Sequence, residues 1–154
     1  MPDDQSCKCD QIEFRFLADS AQVRQVLRRS VARFARKISQ DDAGALELTL
    51  AEVLNNVVEH AYADLPQGEI ILFLRREEAS LACVVEDQGH PMPDLALPDL
   101  QAPEINENTA DLPEGGWGWS LIRALTADLQ YERRENVNRL TFSLPLSKMP
   151  YPAQ

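Results

Sequence analysis

The sequence predicts an α+β fold: a two-layer sandwich in which helices cover one face of a mostly antiparallel mixed sheet. Three observations carry this. Apolar residues recur with period two in five short segments and with the 3.6 period of a helix in three others. These segments come in the order strand, two helices, two strands, a long proline-rich stretch, helix, two strands. Regular strand–helix–strand alternation and the glycine fingerprint of a dinucleotide fold are both missing.

Each element has its own signal. Ile12, Phe14 and Phe16 alternate with Glu13 and Arg15, which predicts a strand over 12–17. Asp19 or Ser20 can cap a helix of roughly 20–38, with Val23, Val26, Leu27, Val31 and Phe34 as its apolar stripe. Asp41 and Asp42 suit the positive end of a second helix over about 42–62 and are the expected caps. Leu65-Pro66-Gln67-Gly68 is a turn. Glu69–Arg76 and Ser80–Glu86 read as a hairpin. Residues 91–114 hold five of the ten prolines and six acids with no sustained period, as expected of a lid. Gly115-Gly116-Trp117-Gly118 ends that stretch, and Trp119–Asp128 reads as a helix. Leu129–Arg133 and Arg139–Leu146 close the sheet, joined at Glu135-Asn136-Val137-Asn138. The expected organisation is therefore a flexible 1–11, one domain over 12–146 with its lid at 91–114, and a tail at 147–154.

Composition narrows the function classes. A chain of 154 residues with 44% hydrophobic and 26% charged content suits one globular domain. A net charge of -10 argues against direct binding of nucleic acid or of an anionic membrane. The charge is uneven: Arg24, Arg28, Arg29, Arg33, Arg36 and Lys37 cluster early, while no Lys or Arg occurs from Glu77 to Ile122. A protein partner would read such polarity, although a charge run is ordinarily a solvated face. Three cysteines, Cys7, Cys9 and Cys83, give no disulfide framework, and Cys7-Lys8-Cys9 is too little for a metal site. With no signal peptide or long apolar run, a cytoplasmic location is expected.

The chemistry concentrates in three places. On a helical wheel with Glu52 at zero, Asn55, Asn56 and Glu59 fall within about 60° of it, while Leu46, Leu50, Val53, Leu54 and Val57 fill the opposite arc. Such a polar face is ordinarily just solvated; here it also sets a carboxylate one turn before an amide, with His60 a turn further. Asp87-Gln88-Gly89 places an acid at a strand end before a tight turn. It is either a plain turn or the floor of a pocket that accepts a hydrogen bond from an exocyclic amine, the glycine giving a flat ring room to approach. Gly115-Gly116-Trp117-Gly118 opening a helix is either a flexible entrance or an anion site made of bare N–H groups. No Lys-Ser/Thr follows, so it is not a Walker motif.

In that order, the three segments resemble the nucleotide-binding core shared by histidine kinases, gyrase-type topoisomerases and Hsp90, and within it the bacterial anti-sigma factor serine kinases of partner-switching modules. Glu52-x-x-x-Asn56-x-x-x-His60-Ala61-Tyr62 is similar to that family's N box. Asp87-x-Gly89-x-Pro91 is similar to its first glycine box, and Gly115-Gly116-x-Gly118-x-x-Leu121-Ile122 to its second. The resemblance spans about residues 12–146. It implies ATP and Mg²⁺ as cofactors, with Asn56 as a metal ligand and Glu52 as the base that takes a proton from a partner's serine. It further implies that Asp87 and Gly89 form the adenine site and that Gly116 and Gly118 shape the phosphate turn. Implied partners are an anti-sigma antagonist of STAS type and a sigma factor or similar regulator, with a homodimer as the assembly. Two features depart from the pattern. Trp119 stands where the family usually has leucine, and the lid carries no Lys or Arg, so charge on a γ-phosphate would fall to Mg²⁺, backbone N–H groups, Arg123 or a dimer partner. The alternatives are a non-catalytic ATP-binding switch module and a stand-alone ATPase.

Overall fold

The structure, a computed structural model, describes residues 10–98 and 116–147. The expected flexible start before residue 10, most of the lid with Gly115, Cys7 and Cys9, and the tail after Ser147 lie outside the described residues.

Five strands form one sheet in the order β1 (Gln11–Leu17), β2 (Glu69–Arg76), β3 (Ser80–Asp87), β5 (Val137–Pro145), β4 (Ala127–Arg134). Every neighbouring pair is antiparallel. Helices α1 (Ser20–Phe34), α2 (Gln40–Asn56) and α3 (Gly116–Leu125) complete the sandwich. Period two decides which residues face them. Ile70, Leu72 and Leu74 of β2, Leu81, Cys83 and Val85 of β3, and Leu140, Phe142 and Leu144 of β5 are all buried. They pack with Val23, Val26 and Phe34 of α1 and Leu46, Leu50, Val53 and Leu54 of α2 in one core. The opposite sheet face carries exposed ion pairs, Arg15 with Glu69 at 3.6 Å and Arg139 with Glu86 at 3.5 Å.

The local signals hold, with α1 ending at Phe34 rather than near residue 38 and three further corrections. Asp19 caps α1 as expected, its Oδ1 accepting from the Ala21 N–H at 2.8 Å. The cap of α2 is Ser39, whose Oγ accepts from the Asp42 N–H at 3.1 Å, so Asp41 and Asp42 belong to the first turn. Asp42 instead turns inward: its Oδ2 accepts from both the N–H and the hydroxyl of Ser147 at 2.9 Å, tying α2 to the end of β5. Second, α2 does not run regularly to residue 62. It passes into a π-helical turn, Val57–Ala61, closed by the Tyr62 N–H on the Val57 carbonyl at 3.1 Å. Third, α3 ends at Leu125 rather than Asp128, and the last two strands begin earlier than expected, at Ala127 and Val137. They meet at a two-residue turn, Glu135-Asn136, with φ of 53° and 65°; positive φ at both positions matches the right-handed strand twist.

Candidate functional site

The alternation that buries Leu81, Cys83 and Val85 continues to Asp87 and carries its carboxyl to the core side at the end of β3. Asn138 of β5 is its direct register partner and is equally buried. The Asn138 Nδ2 donates to Asp87 Oδ1 at 2.8 Å, and the Gly89 N–H donates to the same oxygen at 2.9 Å. Burial pushes the Asp87 carboxyl above the ordinary carboxylate range; the Asn138 bond, the Gly89 N–H and the Arg133 guanidinium pull it back.

The turn after Asp87 is docked onto the end of the π-helical turn. The His90 N–H donates to the Ala61 carbonyl at 2.6 Å, and His90 Nε2 lies 3.0 Å from the Ala63 carbonyl. Tyr62 is the pin between the two turns: its hydroxyl donates to the Glu69 carbonyl at 2.8 Å and accepts from the Gln88 N–H at 2.9 Å. Desolvation raises that hydroxyl's pKa, so it stays protonated and available for both bonds. A Cβ at Gly68 would fall 2.3 Å from the Tyr62 ring, and one at Gly89 would fall 2.3 Å from the Ala61 carbonyl oxygen. Gly89 is therefore needed for the approach of its own turn to Ala61, a reason independent of any ligand.

Glu52 and Asn56 sit one helical turn apart on α2, both partly buried. Across from them lies Gly118 in the first turns of α3. A Cβ there would stand 2.7 Å from Glu52 Oε2 and 3.7 Å from Asn56 Nδ2. The Asn56 Nδ2 is buried with no hydrogen-bond partner among the described residues. An orphaned buried amide is costly unless a ligand completes it. Since the two ends of a carboxamide are nearly isosteric, the same position can present Oδ1 to a cation. Oxygen is the hard donor that Mg²⁺ prefers, and this ion keeps several waters, so one amide beside a carboxylate fits it without a dedicated cage. No group of three or more His, Cys, Asp or Glu side chains placed to hold a metal ion occurs among the described residues.

Between these groups lies a cavity of about 530 Å³. Asn56 and Asp87 both line it, with His60, Met92, Trp119 and Asn138 among the other walls. Glu52, Gly89 and Gly118 are not among the lining residues; Glu52 and Gly118 meet beside Asn56, and Gly89 backs onto Ala61. Gly116 opens α3, and the residues before it lie outside the described ones. Trp119, at the position of the family's leucine, is buried in the core and forms one cavity wall. The Arg123 guanidinium donates to the Pro98 carbonyl at 2.9 Å, so it is engaged with the root of the lid.

Three contributors were not legible as site residues in the sequence: Asn138, Tyr131 and Arg133. Extending the inward alternation of Leu144, Phe142 and Leu140 back by two residues would have found Asn138.

A family model described as "Histidine kinase-like ATPase domain" matches residues 16–144. Among curated proteins, the chain is 29% identical over 136 residues to "Serine-protein kinase RsbW" of Bacillus mycoides, covering 86% of this chain and 84% of that one. It is 28% identical over 134 residues to the protein of the same name from Bacillus cereus, covering 85% and 82%. Among solved structures, it superposes on the crystal structure of the RsbU and RsbW domains of a Mycobacterium tuberculosis protein with a TM-score of 0.63 at 17% identity. That match covers 90% of this chain and 33% of the other, so the chain spans about a third of that protein, and the likeness concerns fold alone. No helix among the described residues is long and apolar enough to cross a membrane.

Proposed function

The chain belongs to the histidine kinase-like ATPase domain family, and from that premise we propose that it is an ATP-dependent serine protein kinase and anti-sigma regulatory factor. It phosphorylates a STAS-type anti-sigma antagonist and, in its other partner state, sequesters a sigma factor or similar regulator. The observation that carries this reading is the cavity itself, which joins the orphaned amide of Asn56 beside Glu52 and Gly118 to the buried acceptor Asp87. Its similarity to serine-protein kinases named RsbW supports the reaction class.

In this reading Asp87 accepts a hydrogen bond from the adenine amine, and the apolar walls that include Met92 and Trp119 hold the ring. Asn56 Oδ1 holds Mg²⁺, which when bound neutralises phosphate charge. The N–H groups at the start of α3, with Gly116 and Gly118 lacking side chains, face the phosphates. Glu52 takes the proton from the partner's serine hydroxyl. The serine oxygen then bonds to the γ-phosphorus as the bond to the β,γ-bridging oxygen breaks, and ADP leaves. The test is transfer of label from γ-labelled ATP, with Mg²⁺, to a purified antagonist. Label on serine is the expected result. Glu52→Gln should lower turnover by about 10²- to 10⁴-fold while ATP affinity stays; transfer at the parental rate would remove Glu52 as the base.

One observation favours a second reading, a switch module that binds ATP and its partner without transferring phosphate. Arg123 of α3 is held by the lid root, and the lid itself carries no Lys or Arg. Tight ATP binding with no label on any antagonist would select it.

A further inference from the structure

Asn138 sits at the centre of a polar cluster of which the kinase reading uses only Asp87. Its Oδ1 accepts from the Tyr131 hydroxyl at 2.6 Å and from Arg133 at 2.9 Å. Its Nδ2 donates to Asp87 Oδ1 at 2.8 Å and the His90 carbonyl at 2.8 Å, with the Gly89 carbonyl at 3.4 Å. The amide can sit only this way round. Flipping it would set an NH₂ against the Arg133 guanidinium and an oxygen against a carboxylate and two carbonyls. The ends of the cluster are fixed too: Arg133 also donates to the Gly89 carbonyl at 2.9 Å, and the Tyr131 hydroxyl accepts from the Met92 N–H at 3.0 Å.

The consequence falls on Asp87. Both hydrogen bonds it receives from described residues end on Oδ1. A carboxylate held by one oxygen, in a wall of the cavity, can turn only its second oxygen to a ligand. We infer that Asn138 is a positioning residue for base recognition: locked by Tyr131 and Arg133, it clamps Oδ1 of Asp87 so that Oδ2 is presented to the cavity as a fixed acceptor for an exocyclic amine. This deepens the ATP reading and rests on it. The neutral NH₂ of Asn138 also favours the ionised form of Asp87, and only that form is an acceptor at both oxygens.

The experiment compares two ligands that differ in one group, ATP and purine riboside triphosphate, which lacks the exocyclic amine. Dissociation constants with Mg²⁺ are measured for the full-length protein and for Asn138→Asp, which leaves the Oδ1 contacts to Tyr131 and Arg133 intact and replaces the one donor by an oxygen. Asn138→Leu is measured beside it, in case the second carboxyl prevents folding. The parent protein should prefer ATP by about 10-fold or more, as a buried polar group left unpaired by the analogue demands. Both variants should lose most of that preference by weakening ATP binding, with the analogue's affinity nearly unchanged. A purely structural role would weaken both ligands together and leave the ratio alone. If the parent discriminates and both variants keep its ratio, the positioning role is overturned while the adenine site stands. If the parent itself does not discriminate, the adenine site falls and the positioning role with it.

Discussion

Replacing Gly89 by alanine separates two explanations of that glycine. If it serves only to admit a flat ring, the free protein should be indifferent to a methyl group there. The structure argues otherwise, because the added Cβ would lie 2.3 Å from the Ala61 carbonyl oxygen and 2.5 Å from its carbon. Both are backbone atoms, so no side chain can swing aside, and the turn must retreat by about 1 Å to reach ordinary contact. The bonds at risk are the His90 N–H to Ala61, the His90 ring to Ala63 and the Gln88 N–H to Tyr62, at 2.6, 3.0 and 2.9 Å. Losing two of the three at about 1 kcal/mol each, with some overpacking strain, gives a cost of about 2–4 kcal/mol. For a domain of this size that is a fall in Tm of roughly 5–15 °C. The assay is a thermal melt with and without Mg-ATP. Gly89→Ala should melt lower without ligand and show a smaller ATP shift, since Asp87 moves with the turn. A variant that melts within 2 °C of the parent without ligand, as a rough threshold, and loses only its ATP response would refute the packing argument.

Other perturbations test the remaining contacts. Gly118→Ala meets a flexible carboxylate rather than backbone, so its Tm should change little, while displacement of Glu52 lowers phosphoryl transfer by about 10-fold or more; equal transfer rates would contradict the assignment. Tyr62→Phe removes the hydroxyl that joins Glu69 to Gln88 and should cost about 1–3 kcal/mol in a denaturant titration. Asp87 has a folded pKa above its unfolded one, so its ionisation opposes folding. That penalty is absent below the unfolded pKa, grows as pH rises through the interval between the two, and is complete above the folded value. Asp87→Asn should therefore be as stable as the parent or more so at pH 7, gain nothing at low pH, and lose ATP binding.

Much of the fold was legible because its signals are local and repeated. The alternation of Ile12, Phe14 and Phe16, the stripe of α1 and the Asp19 cap are set by neighbours in sequence, and the structure keeps them. Helix ends were less legible. Asp41 and Asp42 carry the charge expected of a helix start, but Ser39 occupies the extended cap position, and Asp42 is claimed by Ser147, 105 residues away. The π-helical turn after Asn56 leaves no mark in the apolar spacing, because the tertiary docking of Tyr62 and His90 sustains it. In the candidate site, motif spacing picked out Asn56 and Asp87, which the structure places in the walls of one cavity, and Glu52, which it places beside Gly118 next to Asn56. Asn138 escaped because the hairpin turn was expected to run on through Val137 and Asn138, which hid the start of the strand. The packing reason for Gly89 escaped because it depends on Ala61, a residue with no chemistry of its own.

The most direct measurement is the thermal shift of the free protein on adding Mg-ATP, compared with that of Asn56→Ala. Ligand at 100-fold its dissociation constant should stabilise the parent by ~2.7 kcal/mol. Asn56→Ala should fold, since it removes an amide nitrogen that has no hydrogen-bond partner among the described residues, and should respond far less. A parent that ignores Mg-ATP, or an Asn56→Ala protein that shifts as much as the parent, would contradict the nucleotide site.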